Sequence, residues 1–344
     1  MFCCEGTARL MTHDLALPLV DISRLGSPDV KDRRAVADEL SRACKDVGFL
    51  YVTGSQIDRS LFAKLRDTAQ RFFAWPIERK MRSYIGHSVN HSGYVPIGEE
   101  QFTPGTHDLK EAYDVNYDYL PEEGRRPLLG PNIWPDDARF QEDVLAYYNH
   151  VRGIGRQLFR AFALALGLDE GFFDARTVHA PSQLRLIHYP CDPAATDAAG
   201  IGAHTDYECF TLLFPTAPGL EVLARNGAWI DVPLIEGAMV MNIGDMMEVL
   251  SNGRFVATRH RVRKVAEERY SFPLFFACDY DCVIEPVVKG EAPRYAPIRG
   301  GEHLHAQTAQ TFSYLKARIA AGEIVLEDAR PLHSFGRKEA EPAQ

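Results

Sequence analysis

The chain contains one His-x-Asp, His204-Thr-Asp206, just ahead of the apolar run Phe210-Thr-Leu-Leu-Phe214. Burying a charge beside such a run is costly unless an opposite charge meets it. A hydrogen-bonded structural pair, a nucleophile relay and a metal ion would each answer the need. The sequence has no Gly-x-Ser-x-Gly elbow, His-Glu-x-x-His, P-loop or Gly-x-Gly-x-x-Gly. A relay would also need a nucleophile, and none is signalled. Alternate residues of a strand share a face, so on a strand His204 and Asp206 present imidazole and carboxylate side by side. This motif alone does not separate a structural pair from a metal site.

A third donor stands downstream. His260 lies in the β-rich run Phe255-Val-Ala-Thr-Arg-His-Arg-Val262. Two histidines and one carboxylate on one face of an ion, with open positions opposite, is the arrangement of oxygen-activating non-heme Fe(II). Nine residues on, Arg269 and Ser271 alternate on a further β-rich run, offering a guanidinium fork and a hydroxyl to a single carboxylate. The structural alternative pairs Arg269 with Glu267 or Glu268. Glu208 is read as a solvated strand-end residue without a role.

These residues need rigid elements to hold them. Ser27-Pro28 reads as a helix start with Ser27 as cap, and Gly48 as that helix's end. A strand is expected over 48–55, a helix from Asp58 to about Trp75, and a long helix over 137–168. The segment 84–107, with Gly93, Pro96, Gly98 and Pro104, predicts a long loop of the functional kind, read as a lid. From Ser182 short β-rich runs follow one another between turn signals, with a hairpin at Asn226-Gly227. Such spacing predicts an all-β sandwich or barrel core with flanking helices and not a βαβ sheet. A helix over roughly 301–321 closes the pattern. One domain, 1–344, is expected: a flexible extension over 1–14, a mostly helical region over 15–181, a β core carrying the metal site over 182–300, and a helix and tail over 301–344.

Bulk properties narrow the partners. The 344 residues carry a formal net charge of −9 with no Lys/Arg-rich block, which argues against nucleic acid as a partner. No run nears the roughly 18 apolar residues of a membrane span, and the opening MFCCEGTARLMTHDL lacks the charged-then-apolar order of a secretory signal. The 7 cysteines are odd in number and scattered. They form no disulfide framework, and Cys278 and Cys282 form no zinc site. Free thiols in a reducing cytoplasm are expected.

His204-Thr-Asp206, His260 and Arg269-x-Ser271 together resemble the isopenicillin N synthase-like family of Fe(II)/2-oxoglutarate-dependent dioxygenases. The resemblance extends to LRLIHYP (184–190), NIGDMMEVLSNGRF (242–255) and ERYSFPLFF (268–276). More loosely, LPLVDIS (17–23), HSGYVPIGEE and DLKEAYDVN follow it upstream, and it covers roughly residues 17–320. It implies a double-stranded β-helix (jelly roll) with Fe(II) held by His204, Asp206 and His260. It further implies that Arg269, Ser271 and Tyr189 bind the distal carboxylate of 2-oxoglutarate. Ile187 stands where many members carry Asn, and Glu208 where a small residue is common. The activity implied is decarboxylation of 2-oxoglutarate to succinate by O2, coupled to C–H oxidation of a small organic substrate. Hydroxylation is the default outcome, with desaturation, ring closure and demethylation open. Tyr94, Glu99, Tyr113, Phe210 and Phe275 are the candidate pocket residues. Two other readings stay open: an iron oxidase of the same fold in which Arg269 and Ser271 hold the substrate's carboxylate, and a zinc hydrolase or non-catalytic metal-binding jelly roll.

Overall fold

The computed structural model of the chain describes residues 17–326 except 56, 102–107, 120–125, 192–199 and 264–266. The expected extension over 1–14 and the tail beyond Leu326 lie outside the described residues.

Strand β1 (Leu19–Asp21) leads to helix α1 (Val30–Asp46). Its cap is Asp29, whose carboxylate accepts from Lys31 N, so the start lies two residues beyond the expected Ser27-Pro28. Ser27 instead accepts from Asp29 N and donates to Asp32. Gly48 ends the turn at φ +67, where a Cβ would meet the Val256 carbonyl oxygen at 1.8 Å, so only glycine fits. Strand β2 (Phe49–Thr53), helix α2 (Arg59–Phe73, capped by Asp58) and the short α3 (Ile77–Lys80) follow. Next come β3 (Gly93–Val95), β4 (Glu111–Asn116) and the long α4 (Ala138–Ala165), capped by Asp137.

The downstream part holds β5 (Gln183–Tyr189), β6 (Ile201–His204), β7 (Phe210–Pro215), β8 (Leu220–Leu223), β9 (Trp229–Asp231) and β10 (Met239–Ile243). Helix α5 (Asp245–Leu250), β11 (His260–Val262) and β12 (Arg269–Phe276) complete the frame of the site. The expected closing helix is two helices, α6 (Gly300–Thr311) and α7 (Ser313–Ala320), broken at Phe312, whose backbone is extended at φ −93, ψ 131.

The fold is a jelly-roll core with flanking helices. Its larger sheet runs β1-β2-β10-β7-β12-β5-β4-β3 and its smaller one β6-β11-β8-β9. Four of the eight strands in the larger sheet come from the region expected to be mostly helical. β4 pairs antiparallel with β5 from Glu111↔His188 to Asn116↔Gln183, so the chain is continuous in structure across residue 181. Alternation along β5 explains how the sheet serves two masters. Leu184 and Leu186 pack into the apolar core beneath the helices, while Arg185, Ile187 and Tyr189 turn toward the space between the sheets.

Candidate metal centre and adjoining pocket

His204 is the last residue of β6 and pairs directly with His260, the first of β11. Their ring centroids lie 4.4 Å apart. Asp206 is not on the strand, contrary to the alternation expected for His204 and Asp206. Backbone contacts carry it into place: Asp245 N donates to Asp206 O at 2.9 Å, Met246 N to Glu208 O at 3.0 Å, and Gly244 N to Cys209 O at 2.9 Å. Gly244 permits this approach, since a Cβ there would sit 2.3 Å from the Glu208 carbonyl oxygen.

The result is a cluster of three buried donors, within 4.8 Å of one another, from His204, Asp206 and His260. Asp206 Oδ1 lies 3.8 Å from His204 Nε2 and 3.5 Å from His260 Nε2. Each Nδ1 faces a backbone carbonyl, Gly202 O at 2.8 Å and Thr258 O at 3.2 Å. A carbonyl only accepts, so each Nδ1 carries the proton and each Nε2 offers a lone pair. Burial and the neighbouring His260 pull the His204 imidazole down to about 3, despite Asp206, which keeps it neutral and ligand-competent. Burial raises the Asp206 carboxyl, but the two imidazoles and hydrogen bonds from Thr211 and Asn242 outweigh it and leave the group below the usual range. Both bonds fall on Oδ2, with Asn242 Nδ2 at 2.6 Å, so Oδ1 is left for the imidazole side. Two neutral nitrogens and one carboxylate oxygen, oriented by their neighbours, fit a divalent ion such as Fe(II).

A cavity of about 100 Å³ adjoins the cluster and is lined also by Arg269, Ser271, Tyr189 and Ile187. Arg269 is fully buried on β12, opposite Tyr189 in register. Its guanidinium carbon stands 4.6 Å from the Tyr189 ring centre. Nε donates to Ala217 O and Nη1 to Ser271 Oγ, each at 3.2 Å, while Nη2 has no hydrogen-bond partner among the described residues. The alternative pairing with Glu267 or Glu268 does not occur. Glu268 bonds His188 at 2.9 Å and the Tyr270 hydroxyl at 3.0 Å, and Glu267 is exposed. A buried guanidinium with a free N–H and no acid calls for an anion from outside the chain.

Of the five candidate pocket residues only Phe275 lines the cavity. Tyr94 donates to Glu111 at 2.5 Å and Tyr113 to Ile133 O at 2.6 Å, both away from it. Phe210 packs against Phe159 and Phe276 in the core, and Glu99 is bound by Tyr84 and by the backbone of Tyr314. The described part of the expected lid is tied down. Gly93–Val95 is a sheet strand, and Asn90 donates to Gly130 O at 2.8 Å. Residues 102–107 lie outside the described residues.

The larger surprise is polar. Glu208, read as solvated, is 7% exposed and lines the cavity. Burial, then the Asp206 charge, push its carboxyl up to about 8. Arg185, Glu100 and Lys110 also line the cavity, and none had been singled out. Arg185 grips Asp114 at 2.8 Å and Glu100 at 3.0 Å, and Lys110 pairs with Glu100. No local pattern marks such a network, since its partners are 10 to 85 residues apart.

Residues 180–277 match the family model of the 2OG-Fe(II) oxygenase superfamily, and residues 17–137 that of the non-haem dioxygenase in morphine synthesis N-terminal region. A 2-oxoglutarate-Fe(II) type oxidoreductase, hxnY, of Emericella nidulans is 33% identical over 321 residues, covering 88% of this chain and 92% of that protein. A homoarginine-6-hydroxylase of Oryza sativa subsp. japonica is 34% identical over 325 residues, covering 86% and 98%. The crystal structure of Neurospora crassa T7H with alpha-KG and thymine superposes with a TM-score of 0.77 at 26% identity, covering 87% of this chain and 98% of that one.

Proposed function

This chain belongs to the 2OG-Fe(II) oxygenase superfamily, and from that premise we propose that His204, Asp206 and His260 hold its iron while Arg269, Ser271 and Tyr189 receive the far carboxylate of 2-oxoglutarate. The chain is an Fe(II)/2-oxoglutarate-dependent oxygenase acting with O2 on a small molecule. The carrying observation for the residue assignment is Arg269: fully buried, without an acid partner and with one N–H unanswered among the described residues, and on the wall of the cavity that also meets the three donors.

When bound, iron supplies oxygen activation coupled to conversion of 2-oxoglutarate to succinate and carbon dioxide. The residues do the rest. Thr211 and Asn242 hold the Asp206 carboxylate with Oδ1 facing both Nε2 atoms. Gly202 and Thr258 carbonyls fix the imidazole tautomers. Arg269 and Ser271 orient a carboxylate, and Ile187, Leu213 and Val262 give the cavity dry walls. Hydroxylation is the outcome we assign.

Among the described residues no helix is long and apolar enough to cross a membrane. The five described cysteines, Cys44, Cys191, Cys209, Cys278 and Cys282, are free thiols, which supports work in a reducing cytoplasm. We take 1–344 as one oxygenase domain, given the strand pairing across residue 181. The test is anaerobic reconstitution with Fe(II) followed by admission of O2. Succinate is expected only when 2-oxoglutarate is supplied; O2 consumption independent of 2-oxoglutarate would overturn the assignment of Arg269 and Ser271.

A further inference from the structure

Strand β5 gives the cavity wall two ends. Tyr189, its last residue, faces Arg269, where the far carboxylate of 2-oxoglutarate is placed above. Gln183, its first, lies six residues back, about 20 Å along the strand. At that end the wall is made by His91, Gln183, Arg185, Thr308, Thr311 and Phe312, none of which has a part in the iron or co-substrate assignment.

His91 stands out among them. Its backbone is left-handed, at φ +60, a region that non-glycine residues seldom enter and that histidine tolerates better than most. The turn is held there from several sides. Ser88 Oγ accepts from Asn90 N at 3.1 Å and from Ser92 N at 3.0 Å. The His91 carbonyl oxygen accepts from Asn116 Nδ2 at 3.1 Å and from Gln183 Nε2 at 3.2 Å. A strained backbone that so many bonds enforce points to a side chain whose direction matters. The ring is held as well. The break between α6 and α7 sets Phe312 edge-on against it, with centroids 4.4 Å apart, and brings the Tyr314 hydroxyl to 2.6 Å from Nδ1. Tyr314 is fixed in turn by Glu99 Oε1, which accepts from its backbone N at 2.8 Å.

The tautomer follows from these contacts. Burial raises the Tyr314 hydroxyl well above the ordinary phenol range and keeps its proton on. That hydroxyl makes no other hydrogen bond among the described residues, so it donates to Nδ1 and the imidazole's own N–H proton sits on Nε2. A doubly protonated ring would carry a proton there too, so the donor does not depend on titration. Nε2–H has no partner among the described residues, although His91 is only 6% exposed and lies on the cavity wall. A buried donor left without an acceptor is costly.

We infer that His91 is a specificity-determining residue of this pocket, its Nε2–H donating to a carbonyl oxygen of the substrate, as in a ketone, lactam or amide, at the end of the cavity away from Arg269. A carbonyl oxygen only accepts, so it matches a donor whose direction and tautomer are both fixed. Tyr314 is a positioning residue that acts through His91. The inference rests on the assignment of the iron and 2-oxoglutarate residues above, which leaves this end of the cavity to the substrate.

Binding, not turnover, tests it. The full-length protein, loaded anaerobically with Fe(II) and 2-oxoglutarate, is titrated by calorimetry with cyclohexanone and 2-piperidone, and with benzene as a ring of similar size that has no oxygen acceptor. His91→Asn keeps a residue at home in left-handed backbone, but its side chain is too short to reach the place of Nε2. It should weaken at least one carbonyl probe by roughly tenfold or more and change benzene by less than about threefold. Tyr314→Phe leaves the turn untouched but frees the tautomer. It should weaken the same probe selectively and to a smaller extent, with Fe(II) and 2-oxoglutarate affinities unchanged. Wild-type protein that binds neither carbonyl probe, or a His91→Asn variant that binds them as wild type does or loses benzene equally, overturns the inference. Should His91→Asn not fold, Tyr314→Phe decides, and unchanged carbonyl binding in it overturns the inference. Protein that develops the metal-to-ligand charge-transfer band with 2-oxoglutarate yet gives one of these results sinks this inference alone. Protein that never develops the band sinks the assignment beneath it as well.

Discussion

His260 stands directly opposite His204 across the β6–β11 pair, and both Nε2 atoms turn to the same oxygen, Asp206 Oδ1, at 3.5 and 3.8 Å. One donor from each of two paired strands and one from the link that follows gives a cluster of three fixed donors. The core beneath packs Ile201, Val222 and Val262 together, and none of these is a donor of the cluster. His260→Ala is therefore expected to lose stoichiometric Fe(II) binding while keeping its far-UV circular dichroism. Metal analysis after anaerobic reconstitution checks this, and full Fe(II) occupancy in the variant would refute the ligand assignment.

Asn242 and Thr211 touch no metal on this account but hold Asp206 Oδ2. Removing such an orienting partner costs about 10- to 100-fold in metal affinity. Asn242→Ala and Thr211→Val should each weaken Fe(II) by about that factor in a chelator competition, with 2-oxoglutarate affinity at saturating iron nearly unchanged. Unaltered iron affinity in both would mean that Asp206 needs no such support.

Acid should undo the wall of the pocket. Burial alone would raise the Glu100 carboxyl, but Arg185 and Lys110 hold it at about 2, against an ordinary 4.5. Its folded value is the lower one, so its stabilisation is full above about pH 4.5 and is lost as pH falls from there toward 2. Burial pulls His91 from 6.5 to about 3, so its contribution is lost over the window from 6.5 downward. Carboxyls that burial raises to about 8 at Glu208 and about 6 at Asp108 act in the opposite sense, so the fall in urea midpoint that Glu100 causes below pH 4.5 is read as the difference between wild type and variant. Glu100→Gln should cost roughly 3–5 kcal/mol at pH 7, because Arg185 and Lys110 are left buried beside a neutral group, and should flatten the lower part of that fall. A deficit in Glu100→Gln that stays the same from pH 7 to pH 3 contradicts the Glu100 assignment.

How far the sequence carries depends on whether a signal is local. The pairs His204/Asp206 and Arg269/Ser271 stand out by residue type and short spacing, His260 by its place in a β-rich run and Tyr189 only through the family resemblance, and the structure brings all six to one cavity. The strand that carries His204 is less so: Ile201-Gly-Ala-His204 is short and holds a glycine, and its partner β11 lies more than 50 residues on. Strands β3 and β4 hide for a similar reason. Gly93–Val95 is three residues long, and Glu111–Asn116 is buried throughout with charges on it, which imitates a loop. Those charges are tolerated because Arg185, Lys80 and His188 meet them from distant positions. Glu208 was misread because exposure is a property of what surrounds a residue in the fold and not of its chemical type. The cap at Asp29 in place of Ser27 is a near miss between two residues of equal capping ability.

The most direct test of the account concerns Arg269, since its carboxylate partner distinguishes a 2-oxoglutarate enzyme from an iron oxidase of the same fold. Arg269→Gln keeps a polar side chain but removes the charge and the fork. The anaerobic Fe(II) protein is titrated with 2-oxoglutarate while its metal-to-ligand charge-transfer band is followed. Truncating a buried charge pair costs about 2–5 kcal/mol. Binding should therefore weaken by roughly thirty- to several-thousand-fold, at 1.4 kcal/mol per tenfold, with iron affinity hardly changed. A variant that binds 2-oxoglutarate as tightly as wild type, or a wild type that shows no band, would contradict the account.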